Sequence, residues 1–187
     1  MSNAVSVVGG ASFEGTISVA DAGVVGMVTL RGDLGSAAMT KAVKEAVGIA
    51  KPKARRINQK GANAVGWMSP DELLLICDYA ASDDVVKSLQ KTLKKEHFLA
   101  VNVSDARAQF TLKGAGVREV LAKGSPADLS PEAWPIGELR RTRLGQVAVA
   151  FWMSDPETAH LVCFRSMGQF VWDWLNVTAK DDVPGYF

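Results

Sequence analysis

Four groups of residues have the types and spacing from which chemistry is commonly built. Lys51, Lys53, Arg55, Arg56 and Lys60 form a positive run without an acid, a pattern that suits phosphate contact. Pro52 makes the segment a loop, and it has no interleaved aromatic on which a base could stack. A solvated loop or a protein contact is the simpler reading, so Arg55 and Arg56 stand as candidate subunit-contact residues. Gly114-Ala115-Gly116 lies between an expected strand and an expected helix, as a dinucleotide-binding turn would. Position 119 is Glu instead of a third glycine, and the flanks do not read as a parallel β-α-β unit. For a metal the chain offers His97, His160, Cys77 and Cys163. His160 and Cys163 fall in one expected strand, where residues three apart point to opposite faces. Neither a closed nor an open zinc site follows from that spacing. Asp71 and Glu72 are adjacent carboxylates after a proline, which suits turn and cap roles. No Gly-x-Ser-x-Gly elbow is present. The residues therefore predict no catalytic, cofactor-binding or metal-binding site on this chain.

The elements around these residues come in pairs. The phrase WMSPDELLLIC at 67–77 returns as WMSDPETAHLVC at 152–163, about half a chain later. In the first half, 26–32 reads as a strand and 36–48 as a helix. Met39, Ala42, Val43, Ala46 and Val47 give that helix one apolar face, and Gly48 ends it. The basic loop 49–61 follows, then a short strand at 73–77. The helix 82–96 turns Val85, Val86, Leu89 and Leu93 inward and its lysines outward. Asp83 and Asp84 suit its start, and Lys91, Lys94 and Lys95 its end.

The second half repeats this order. Strands are expected at 98–103 and 108–114, where Thr111-Leu112-Lys113-Gly114 echoes Thr29-Leu30-Arg31-Gly32. A helix at 117–123 stops at Gly124, and the connection SPADLSPEAWP leads to strands at 139–144, 147–153 and 159–164. The helix 166–178 closes the unit. The matched order predicts an α+β fold of duplicated strand-helix-strand-helix halves, 17–96 and 97–178, sharing one core. The N-terminus and the C-terminal tail are expected to be flexible.

Aromatic residues mark possible contacts. On the last helix Met167, Phe170, Val171, Trp174, Leu175 and Thr178 share an arc, and Trp172 falls beyond its edge. Trp172 fits either ordinary edge packing or a partner interface, where tryptophan is enriched. The tail DDVPGYF ends in Tyr186 and Phe187, which either fold back or dock onto another chain.

Composition narrows the class. At 187 residues the chain can bury a sizeable core without a metal or disulfide staple. Its formal net charge of +1 gives no general pull towards nucleic acid or an anionic membrane. Its 2 cysteines sit in apolar runs and read as buried thiols. The first residues lack the pattern of a secretory signal, and no long apolar run is present, so a cytoplasmic location is expected.

With these residues in view, the wording of the second half resembles a known family, the gamma subunits of heterotetrameric sarcosine oxidase. Val103-Ser104-Asp105, Arg107, Phe110, Gly114, Val120 to Gly124, Asp128-Leu129, Gly137 and Thr142-Arg143-Leu144 carry the likeness. Arg165-Ser166 and Trp172-Asp173-Trp174-Leu175 match the family's closing helix. In the first half Trp67 and Pro70-Asp71-Glu72-Leu73-Leu74-Leu75 match, with Ser69 where glycine is usual. The resemblance implies a fold similar to the folate-binding domain of aminomethyltransferases. It implies a non-catalytic subunit of an enzyme that oxidises sarcosine to glycine, hydrogen peroxide and formaldehyde or methylenetetrahydrofolate. Partners would be the alpha, beta and delta subunits, and FAD, FMN, NAD and zinc would sit on those partners. An alternative is a stand-alone folate-binding or one-carbon transfer domain, for which Asp71, Glu72 and Asp105 are the carboxylates beside matching motifs. An RNA-binding module using 51–60 is disfavoured by the near-zero charge.

Overall fold

The computed structural model describes residues 4–187. These residues form two compact units, one of 25–105 and one made of 4–24 with 106–187.

The continuous unit is a five-stranded antiparallel sheet with two helices. Its strands are β3 (Val25–Gly32), β4 (Ile57–Lys60), β5 (Asn63–Ser69), β6 (Glu72–Asp78) and β7 (Phe98–Asn102), in the order β4-β5-β6-β3-β7. Helix α1 (Ala37–Val47) begins where Ser36 Oγ accepts the Met39 N–H at 3.0 Å. It stops at Gly48, whose φ of +71° is open to glycine at little cost. Helix α2 (Ser82–Leu93) places Val85, Leu89 and Leu93 inward, as their spacing predicts. One face of the sheet (Val28, Leu30, Val65, Leu73, Leu75 and Cys77) packs with Met39, Ala42 and Val43 of α1 in this core.

The other unit holds β1 (Ser12–Glu14), β2 (Ser18–Asp21), β8 (Arg107–Lys113), β9 (Arg140–Leu144), β10 (Val147–Asp155) and β11 (Thr158–Phe164). They lie in the order β1-β2-β8-β11-β10-β9, all antiparallel. Helices α3 (Val117–Ala122) and α4 (Gly168–Thr178) complete it. Its core gathers Phe110, Leu112, Phe151, Met153 and Leu161 with Val120, Leu121, Val171 and Leu175.

The two phrases that open on Trp-Met-Ser are equivalent hairpins. Each has a register irregularity next to its turn, between Trp67 and Ser69 and between Met153 and Asp155. Sequence reasoning misses β1, β2, β4 and β5. The first two are short, β4 (INQK) is polar and has no periodic signal, and Gly66 interrupts β5. Two clusters of buried apolar residues, one in each unit, pack one face of each sheet with its helices. Strand β2 opens the first repeat yet pairs with β8, and β7 opens the second repeat yet pairs with β3. Each repeat thus places its first strand in the other repeat's sheet, and the sheets' boundaries differ from those of the sequence repeat. No helix among the described residues is long and apolar enough to cross a membrane.

Candidate functional site

The hairpins position the residues that sequence reasoning singled out, but they separate most of them. Asp71 sits at the tip between β5 and β6, exposed, and accepts hydrogen bonds from Ser69 and from the Arg31 guanidinium. The bond from Ser69 and then that from Arg31 hold its carboxyl below the usual range. Asp105 is also exposed and accepts the Tyr79 hydroxyl at 2.8 Å. Glu72 pairs across from Arg31 on an adjacent strand and is half-buried. These are turn and strand-end carboxylates, without the burial that a general acid or a pterin anchor needs.

His160 and Cys163 diverge as the strand geometry requires. Cys163 lies in the core, and burial pushes its thiol up to about 12, so it is not a thiolate ligand at neutral pH. Burial raises the Cys77 thiol too. His160 faces the other side of the sheet, stacked on Trp152 with ring centroids 5.2 Å apart. Its Nε2 is 3.1 Å from Ser154 Oγ, and its Nδ1 is 3.5 Å from Thr111 Oγ1. Burial lowers its pKa below the usual 6.5, with Asp155 opposing that shift. No group of three or more metal-ligating side chains is assembled among the described residues.

The His160 environment gives a pH expectation. A neutral imidazole is favoured in the folded chain, so the unfolded chain binds the extra proton first. Stability is then fully present above about pH 6.5 and declines as pH falls through the window towards the lowered folded value. Urea melts of the chain between pH 5 and 7.5 should show this slope, and His160→Gln should flatten it. An unchanged slope in the variant would assign the effect to other groups.

The basic run and the Gly-x-Gly turn also resolve. Arg55 and Arg56 are exposed, and Arg55 adopts φ +60°, a left-handed conformation unusual for a side chain of its size. The Arg56 carbonyl accepts the Trp67 N–H at 2.9 Å, which ties the basic run to β5. Gly114 and Gly116 make the tight turn from β8 into α3, a helix of 6 residues. Gly116 is needed because Val183 of the tail lies against it, where a Cβ would come within 2.9 Å.

Two charged residues of α3 escape sequence reasoning. Arg118 is buried, and its Nη1 donates to the Leu129 carbonyl at 2.8 Å and the Trp134 carbonyl at 2.9 Å. Its guanidinium lies 5.1 Å from the Trp134 ring. This pins the proline-rich connection, which Arg140 also holds through the Ala133 carbonyl at 2.6 Å. Glu119, also buried, accepts the N–H groups of Gly185 and Tyr186 at 2.9 and 2.8 Å. The tail therefore folds back on its own unit, with Tyr186 82% exposed. Phe187 borders a cleft of about 550 Å³ with Arg118, Pro131, Pro135 and Ile136. The only available signal was two charges in a short helix otherwise made of Val, Leu and Ala.

Trp172 requires a correction. It is 8% exposed and packs with Phe110 at a centroid distance of 6.0 Å, so it belongs to the core. The buried face of α4 is Gly168, Val171, Trp172 and Leu175, while Met167 and Phe170 of the expected arc are exposed, so the helix is rotated from the face its spacing suggested.

The buried charges hold chain segments, and the half-buried histidine holds hydroxyls. Comparison with known proteins gives the chain its relatives. The model of the sarcosine oxidase, gamma subunit family matches residues 31–181. The chain belongs to that family. A gamma-family relative, the sarcosine oxidase subunit gamma of Corynebacterium sp. (strain P-1), is 27% identical over 166 residues, 88% of this chain and 80% of the relative. Among solved structures, the fold matches a chain of the heterotetrameric sarcosine oxidase from Corynebacterium sp. U-96 in complex with pyrrole 2-carboxylate. The TM-score is 0.81 at 22% identity, covering 91% of this gamma-family chain and 90% of the other. It also matches the glycine cleavage system aminomethyltransferase T from Bartonella henselae, with TM-score 0.62 at 11% identity over 86% of this chain and 48% of that one. The expected likeness to the aminomethyltransferase fold is thus observed.

Proposed function

We propose that this chain is the non-catalytic gamma subunit of a cytoplasmic heterotetrameric sarcosine oxidase. The family match over 31–181 carries the reading. The folding of the chain's buried charges into structural roles supports it. In this reading the alpha, beta and delta subunits bring FAD, FMN, NAD and zinc. They convert sarcosine, water and oxygen to glycine, formaldehyde and hydrogen peroxide, with tetrahydrofolate able to take the one-carbon unit. This chain supports their assembly and stability. Arg55, Arg56, Tyr186 and Phe187 are proposed contact residues, each exposed on its own unit.

Omission of the chain during co-expression of the other subunits tests the reading. Recovery of the flavin-bearing assembly should fall, while the flavin left in the assembled fraction should still be reduced by sarcosine. Normal recovery and normal heat stability without the chain would contradict it.

A further inference from the structure

Each sheet has two edges, and three of the four are protected in ways known to prevent unwanted pairing. Strand β1 has only 3 residues, β4 is polar (INQK), and β9 carries Arg140, Arg141 and Arg143. Strand β7, with the sequence FLAVN, has no charge and no proline, and it exposes Leu99 and Val101.

The repeat shows what such an edge takes. The order β9-β10-β11-β8-β2 in one sheet corresponds to β4-β5-β6-β3-β7 in the other. Beyond β2 lies a further strand, β1, and beyond β7 there is none among the described residues. The registers also correspond. Ala20 pairs with Thr111 as Val101 pairs with the repeat-equivalent Thr29, so Val19 corresponds to Ala100 and Asp21 to Asn102. The Asp21 N–H donates to Ala11 and the Gly15 N–H to Ile17, which sets the alternation by which Val19 and Asp21 face β1. On β7 the Val103 N–H donates to Met27, so Phe98, Ala100 and Asn102 turn their backbone groups to the open side.

We propose that β7 receives a sixth, antiparallel strand from another subunit of the oxidase, centred on Ala100 and occupying the position that β1 occupies in the repeat. The incoming segment is extended, free of charge at its centre, and apolar on the side it shares with Leu99 and Val101. This is β-augmentation, in which main-chain hydrogen bonds supply affinity and alternate side chains supply selectivity. The inference rests on the subunit reading above.

Ala100→Pro tests it, because it removes an outward N–H while sparing the ladder to β3. The tagged chain is purified from its native cells as wild type and as variant, and the larger chains retained are quantified. The wild-type complex and the free chain are also compared by amide hydrogen exchange. The expected result is slowed exchange at Ala100 and Asn102 in the complex only, with retained partner falling about tenfold in the variant. Fast exchange there in an intact complex would overturn the proposal even if the variant failed to fold. Full retention by a folded variant would do the same. Slowed exchange in a free chain of dimeric mass would overturn it in favour of a second copy. A wild-type chain that retains no larger chain would defeat the subunit reading itself, and this proposal with it.

Discussion

Replacing Arg118 by Met is expected to destabilise the chain by about 3–5 kcal/mol, with a melting temperature lower by roughly 10 °C. The methionine keeps most of the stem volume but leaves the Leu129 and Trp134 carbonyls without their donor. Each charge-assisted bond of this kind contributes about 1.5–3 kcal/mol. Arg118 stays protonated despite the downward push of burial, so its two bonds persist at neutral pH. Arg118→Lys should recover little of the loss, because the lysine side chain is one atom shorter than the reach to Nη1, and its ammonium cannot lie as a plane over the Trp134 indole. Thermal melts of the three proteins check this. A lysine variant as stable as the wild type would show that charge alone suffices there.

Trp172→Ala should cost about 3–5 kcal/mol in the isolated chain, the usual loss for a buried aromatic truncated to a methyl group. Part of that loss is the aromatic pair with Phe110, about 0.5–1.5 kcal/mol beyond buried area. The variant separates two roles that the sequence left open. A core residue lowers the stability of the chain by itself. An interface residue would leave the isolated chain intact and weaken only its hold on partners. Equilibrium urea unfolding reads the first directly, and an unchanged midpoint would return Trp172 to the surface.

What the sequence made legible follows from how far each signal reaches along the chain. The helix at 37–47 was readable almost to the residue because its apolar spacing and its closing glycine are both local. The paired Trp-Met-Ser hairpins were readable as a repeat, since duplicated residues keep their order. The exchange of β2 and β7 between the sheets was not readable, because strand partners are chosen by long-range pairing and both segments carry the same apolar character in either sheet. Arg118 and Glu119 were hidden for a related reason. Their partners, Leu129, Trp134, Gly185 and Tyr186, lie up to 67 residues away and contribute only backbone atoms, which leave no trace in side-chain chemistry. Asp71 at its turn and the two buried thiols occupy the positions that the local sequence indicated.

As a subunit of a sarcosine-oxidising assembly, this gamma-family chain should carry its partners through purification. The test is to purify the tagged chain gently from its native cells, record the visible spectrum of the eluate, and add sarcosine. The expected result is larger co-purifying chains, a flavin spectrum, and hydrogen peroxide formed only when sarcosine is present. A colourless, single-chain eluate that makes no peroxide, from cells that oxidise sarcosine, would contradict it.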